Sequence, residues 1–162
     1  MIPSKPSATP SRASDPAKPG GGWPIPQSGD VLSYAYLWAR EAATGQEEGL
    51  KDRPAVVVLA TVQASGGTQL LIAPVTHSPP DAPADAVEMP ANVERDLGLD
   101  RERSWIVITE VNRFLWPGPD VRPMDGGNPL YGAIPDWLFV RLRSEIGAPA
   151  GHGEVKVTRR TE

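Results

Sequence analysis

The chain has 162 residues, a formal net charge of −4, 40% hydrophobic residues, 19 Pro, 16 Gly and no Cys. That length fits one domain with one modest core. The lack of cysteine excludes a disulfide frame, a thiolate nucleophile and a thiolate metal site, and two histidines are a poor basis for a His-rich metal centre.

No metal or cofactor is therefore expected. No stretch approaches the roughly 18 apolar residues of a membrane span, and the N-terminus lacks the apolar region of a secretory signal. A reducing cytoplasm with no membrane partner is the expectation. The charge is uneven: residues 29–148 hold ten basic and seventeen acidic side chains, a net −7, while both tails are basic. So acidic a body is a poor general binder of phosphate backbones, and any nucleic-acid contact has to be made by a small local basic patch.

Residues 1–28 contain seven prolines, the Gly20-Gly21-Gly22 run and few aliphatic side chains. They bury too little apolar surface to offset their ordering entropy, which predicts a disordered arm. Gly29-Asp30 then punctuates the start of the fold, taken as one domain over 29–148. Residues 31–38 alternate, with Leu32, Tyr34, Tyr36 and Trp38 sharing one face, and predict a strand with an aromatic side. Residues 40–52 are polar, with Gly45, Gly49 and Glu47-Glu48. They read as a mobile loop of the length that marks a functional lid.

Arg53-Pro54 precedes the run Ala55-Val56-Val57-Val58-Leu59-Ala60. An apolar run bounded by a breaker predicts a buried central strand over 55–62. Pro54 fits only at its start, because proline has no N–H for the ladder. Arg53 is then a charge held at the mouth of a rigid element. Ser65-Gly66-Gly67 predicts a hairpin turn, and 68–75 a strand that ends in the polar cluster Thr76-His77-Ser78.

A short strand over 86–89 stops at Pro90, and a short helix over 92–97 ends at Gly98. Residues 104–112 predict a second core strand, with Trp105, Val107, Thr109 and Val111 on one face and Ile106, Ile108 and Glu110 on the other. A carboxylate in line with two isoleucines is unusual. Residues 113–119 read as an extension or edge, and 120–131 as a turn-rich excursion. Pro135, then Leu138, Leu142 and Ile146 at four-residue steps, then Gly147, mark a C-terminal helix. Residues 149–162 predict a flexible tail. Five or six short strands with few helices predict a mainly β fold, a small barrel.

Gly29-Asp30-Val31, Lys51-Asp52-Arg53-Pro54-Ala55-Val56-Val57-Val58 and Pro74-Val75-Thr76-His77-Ser78 resemble, in order and spacing, the three signature segments of the MazF/PemK toxin family. Glu110-Val111-Asn112-Arg113 and the final amphipathic helix complete the pattern, which spans residues 29–147. The resemblance implies an SH3-like β-barrel with a short helix and a C-terminal helix, usually as a homodimer. It also implies an endoribonuclease of a type II toxin–antitoxin system that cleaves single-stranded messenger RNA without metal and arrests growth. In that reaction the ribose 2′-OH attacks the adjacent phosphorus and leaves a 2′,3′-cyclic phosphate. The implied protein partner is an antitoxin whose acidic segment occupies the RNA groove.

On this resemblance the catalytic residues are Arg53, Thr76 and Glu110. A guanidinium can hold two phosphate oxygens at once, so Arg53 is the main electrostatic clamp. The family's acid/base role for this position is difficult for a group whose pKa exceeds about 12. Thr76 would hydrogen-bond the scissile phosphate, although a Thr at a strand end more often caps a turn. Glu110, buried beside Ile106 and Ile108, would be a base for the 2′-OH, or else an ion-pair partner of Arg113 or Arg53. Lys51, Ser78, Arg113 and Trp116 are RNA-binding candidates; Arg113 reads equally as an ordinary surface strand charge, and Trp116 either stacks on a base or packs in a dimer.

The sequence departs from the family in two ways. Residues 40–52 lack the His that some members carry there, and they hold Glu41, Glu47 and Glu48 instead. His77 has the right chemistry for proton transfer, but strand alternation puts it on the face opposite Thr76, outside the site. Two other readings stand beside the nuclease. One is a non-catalytic binding module on the same barrel. The other is a groove for Pro-rich segments lined by Tyr34, Tyr36 and Trp38.

Overall fold

Alternate residues of one strand feed two separate cores, and that arrangement organises the protein. A computed structural model gives the fold over residues 22–47, 49, 51–100, 102–146 and 155–160. Its strands are β1 (Asp30–Tyr34), β2 (Arg53–Val62), β3 (Thr68–Thr76), β4 (Ala86–Glu88), β5 (Trp105–Val107), β6 (Glu110–Leu115), β7 (Leu130–Ala133) and β8 (Lys156–Arg159). Its helices are α1 (Ala39–Ala42), α2 (Ala91–Leu97) and α3 (Asp136–Glu145), and Pro83–Asp85 makes one tight 3₁₀ turn. The fold is mainly antiparallel β sheet.

Ala55 and Val57 of β2 enter a core with Tyr34, Tyr36, Trp38, Ile72 and Phe114. Val56 and Val58 enter the other, with Ala73, Val75, Val93 and Leu97 of α2, and Leu138 and Leu142 of α3. Burial on both faces is why this stretch reads as continuous apolar sequence rather than as alternation. Burying a large apolar side chain contributes roughly 1.5–3 kcal/mol, so β2 and β3 are firmly held. Their ends are firm mounts for side chains.

The sheet runs in the order β4-β5-β3-β2-β1-β7. One edge of β3 lies along β2. Its other edge is shared: Gln69 to Ile72 pair with β6, whereas Val75 and Thr76 pair with β5. A register shift between Val57 and Leu59 bends β2, and bulges increase local twist and curvature.

Several expectations change. The strand foreseen over 31–38 closes its ladder at Tyr34. Residues 35–38 continue without regular pairing, stapled by side chains. Asn112 is fully buried; its Oδ1 accepts from Leu37 N at 2.9 Å and its Nδ2 donates to Leu37 O at 2.8 Å. The strand foreseen over 104–112 breaks at Ile108 and Thr109 into β5 and β6. The excursion foreseen over 120–131 holds the start of β7, which pairs with β1.

The tail foreseen as flexible over 149–162 is a correction for 155–160. There β8 pairs in parallel with β6, and Arg160 is buried. The arm foreseen as disordered over 1–28 likewise docks where it is described: Trp23 Nε1 donates to Gly127 O at 2.8 Å, and its ring lies 6.1 Å from that of Trp116. Residues 1–21, 147–154 and 161–162, with His152 and Gly147 among them, lie outside the described residues, as do Glu48, Leu50 and Arg101. No helix among the described residues is long and apolar enough to cross a membrane.

Candidate active site

The start of β2 and the end of β3 are neighbours, since Ala55 pairs with Pro74 and Val56 with Ala73. Continuing that register brings Arg53 opposite Thr76. Both line a cleft of about 730 Å³, together with Lys51, Ser78, Trp38 and His77. Four of the seven residues singled out from the sequence are thus brought together: Arg53, Thr76, Lys51 and Ser78.

Arg53 is half-buried. Its guanidinium carbon lies 5.1 Å from the centre of the Trp38 ring, a cation–π contact. Its Nη1 donates to Val75 O at 3.3 Å, while its buried Nε has no partner among the described residues. Burial lowers the Arg53 pKa from its ordinary value; among neighbouring charges, Glu41 opposes this and Arg40 adds to it.

Thr76 Oγ1 accepts the Ser78 N–H at 3.1 Å, so the threonine does cap its turn. Accepting that bond leaves the hydroxyl hydrogen free to donate to something else. The capping role and a phosphate-binding role are compatible.

The other three residues stand elsewhere, and none lines the cleft. Glu110 was expected beside Ile106 and Ile108, but the break at residues 108–109 resets the alternation and turns it toward the aromatic core. Its Oε1 accepts from Tyr36 O–H at 3.1 Å and from Ala39 N at 2.9 Å, fixing the start of α1. Burial, and then Glu110, push the Tyr36 phenol well above its ordinary range. Arg113 sits on β6 between Leu71 and Arg159, and Trp116 packs toward Trp23.

His77 is a correction in the other direction. The alternation argument fails because β3 ends at Thr76, and His77 lines the cleft. Its Nδ1 lies 2.8 Å from Arg103 O and its Nε2 2.9 Å from Asp100 Oδ2. A carbonyl and a carboxylate both accept, so this geometry favours an imidazolium carrying both protons. The Arg103 carbonyl, and then Asp100, hold the His77 pKa above its ordinary value.

Sequence reasoning also missed Trp38, Arg40, Glu41 and Asp100, all on the cleft wall. Gly49 was visible in the sequence, and its role is steric: a Cβ there would collide with Tyr36 O, so the chain before Lys51 passes hard against the aromatic segment. Tyr34 and Tyr36 are fully buried and Trp38 nearly so. Tyr34 is wholly core, whereas Tyr36 and Trp38, although buried, edge the cleft.

The acids of the cleft are largely committed. Asp52 lies 3.5 Å from Arg122 Nε, Asp100 holds His77, and Glu41 accepts from Trp38 N at 3.1 Å. Among the described residues no three His, Asp or Glu side chains gather as a metal-holding group. Comparison with models of known families, and with curated proteins, finds no match for this chain.

Proposed function

We propose that this cleft binds single-stranded RNA and cleaves it through the ribose 2′-OH, as the resemblance to MazF/PemK toxins implies. One observation carries the reading: the register Ala55–Pro74, continued, sets Arg53 against Thr76 at the ends of two rigid strands, and both line one cleft. In the reaction the 2′ oxygen bonds to phosphorus, its proton passes to a base, the P–O5′ bond breaks and the 5′ oxygen takes a proton. Arg53 holds the phosphoryl oxygens as charge builds on them, and Thr76 O–H donates to the same group. Glu41 lines the cleft and is the charged neighbour that acts most strongly on Arg53. It is better placed than Glu110 to take the 2′-OH proton. The leaving oxygen takes its proton from water, while protonated His77, whose two N–H groups are held by Arg103 O and Asp100, keeps a positive charge on the same cleft wall as Thr76.

On this reading the bent sheet is an SH3-like barrel, the protein works as a homodimer, and an antitoxin covers the cleft. The test is inducible expression of wild type and Arg53→Ala, with growth followed and RNA ends mapped. Wild type arrests growth and leaves cyclic phosphate ends; Arg53→Ala does neither. Equal cleavage by both proteins would sink the assignment.

A second reading, a non-catalytic binding module, draws on Glu41, Asp52 and Asp100 standing among the cations of the cleft. It predicts purified protein that leaves RNA intact over a broad range of sequences and salt.

A further inference from the structure

Trp38 carries two cations. Arg53 Cζ lies 5.1 Å from the ring centre, and Arg40 Cζ lies 4.9 Å from the same centre. Arg40 is exposed, stands on α1 and lines the cleft. A guanidinium held against an aromatic ring uses its face for that contact, and its five N–H donors point outward in its plane. Among the described residues none of the Arg40 donors makes a hydrogen bond or ion pair, although Glu41 is its sequence neighbour. The Glu41 carboxylate turns back to Trp38 N instead.

The two guanidiniums are therefore fixed to one ring, which itself is held down. Trp38 meets the Tyr36 ring edge-on at 5.2 Å, and Tyr36 is anchored by Glu110. A pair of cations on a common mount presents two anion-binding groups close together. By the triangle of the two distances, 4.9 Å and 5.1 Å, their carbons are no further apart than about 10 Å, so two such cations can each hold one phosphate of a single strand, bidentately.

We infer that Arg40 is a second phosphate-binding residue, holding the phosphate next to the one held by Arg53, so that the cleft takes a nucleotide chain across two successive phosphates. This rests on the RNA reading above. It assigns Arg40 to grip and register of the strand and leaves the bond-breaking step to the Arg53–Thr76 end.

The experiment is binding of a fluorescent, random-sequence 2′-O-methyl RNA 12-mer to the full chain, with Kd measured by anisotropy across a KCl series. The 2′-O-methyl group blocks cleavage, so binding is read separately from activity. Each phosphate neutralised on a single strand contributes roughly 0.7 to the slope of log K against log salt. Arg40→Gln is expected to make the slope shallower by about 0.7, with an unchanged thermal melt. Arg53→Gln is expected to do the same, and Arg40→Lys, which keeps the charge, to retain the wild-type slope.

A wild-type slope in Arg40→Gln beside a reduced slope in Arg53→Gln would overturn the role of Arg40 and leave the RNA reading standing. An Arg40→Lys slope as shallow as that of Arg40→Gln would also overturn it, because counterion release follows charge. Wild-type slopes in both glutamine variants, or no salt-dependent binding by wild type, would overturn the inference and the RNA reading together.

Discussion

Two arginines, each packed on an aromatic ring, sit in opposite circumstances. Arg160 lies over Tyr34 at 5.3 Å, and Arg53 over Trp38 at 5.1 Å. Arg160 is 4% exposed and held by three polar partners. Its Nη1 donates to Ala35 O at 2.8 Å and to Asn112 Oδ1 at 2.9 Å. Its Nη2 stands 3.0 Å from Asp120 Oδ2, near enough for an ion pair although off the line of a formal hydrogen bond. Arg53 has one carbonyl at 3.3 Å, no carboxylate in ion-pair range among the described residues, and an unpaired Nε. Arg160 is a closed structural network, whereas Arg53 is an open group at a cleft. The ring contact is common to both, so it is the carboxylate and amide partners of Arg160, which Arg53 lacks among the described residues, that separate the structural arginine from the cleft arginine.

The largest expected effect breaks the closed side. Arg160→Ala leaves Asp120, Asn112 Oδ1 and Ala35 O without their shared donor in a buried place. Removing one partner of a buried pair costs about 3–5 kcal/mol, which a urea titration followed by fluorescence will read. Because Arg160 staples the backbone before Trp38, RNA binding falls with it. On the open side, Arg53→Ala changes stability by less than about 1 kcal/mol in the same titration, since no strong bond is lost. A stability loss as large as that of Arg160→Ala would erase the distinction between the two residues.

Glu110 sharpens the comparison from a third side. Its oxygen receives Tyr36 O–H and Ala39 N–H, so it belongs with Arg160 among groups that position the aromatic segment. Glu110→Gln keeps an acceptor and removes the charge, at an expected stability cost of about 1 kcal/mol. RNA cleavage by this variant stays within a few-fold of wild type. A loss on the order of 10²–10⁴-fold is what a general base would show instead, and would return Glu110 to the chemistry.

The sequence carried the central strand well, because a breaker followed by Val56-Val57-Val58 leaves few alternatives to double-sided burial. It also carried the nearness of the two strand ends, because the Ser65-Gly66-Gly67 turn makes the strands neighbours, but the register shift between Val57 and Leu59, which no sequence pattern announces, is what sets Arg53 rather than a neighbour against Thr76. It failed where alternation was extended past the true end of a strand. That error put His77 outside the cleft and Glu110 beside Ile106 and Ile108, and each residue moved once the ladder ended. Arg40 was invisible, since its position depends on the helical turn at 39–42 bringing it back over Trp38. Arg160 was invisible for a related reason: four residues of strand after a Gly/Pro-rich stretch leave no periodic signal long enough to read.

The smallest expected effect concerns His77, whose partners tie the end of β3 to the segment before β5. Asp100 Oδ2 faces its Nε2, Asp100 Oδ1 accepts from Glu102 N at 3.1 Å, and Arg103 O faces its Nδ1. The Glu102 charge also acts on it; the Arg103 side chain is turned away to Glu88; Lys51, Asp52 and Arg53 share its cleft. The folded-state pKa is raised, so the stabilisation is fully present below the unfolded value of about 6.5 and is lost as pH rises through the folded value. The pair is 47% and 60% exposed, and solvent screening keeps such a contribution below about 1 kcal/mol. The expected result is therefore local. An NMR titration places the His77 ring midpoint above about 6.5, Asp100→Asn moves it down, and the Glu102 amide exchanges faster above the midpoint. A His77 midpoint at or below the ordinary value would mean that the ring does not carry both protons near neutral pH, and would remove its positive charge from the cleft.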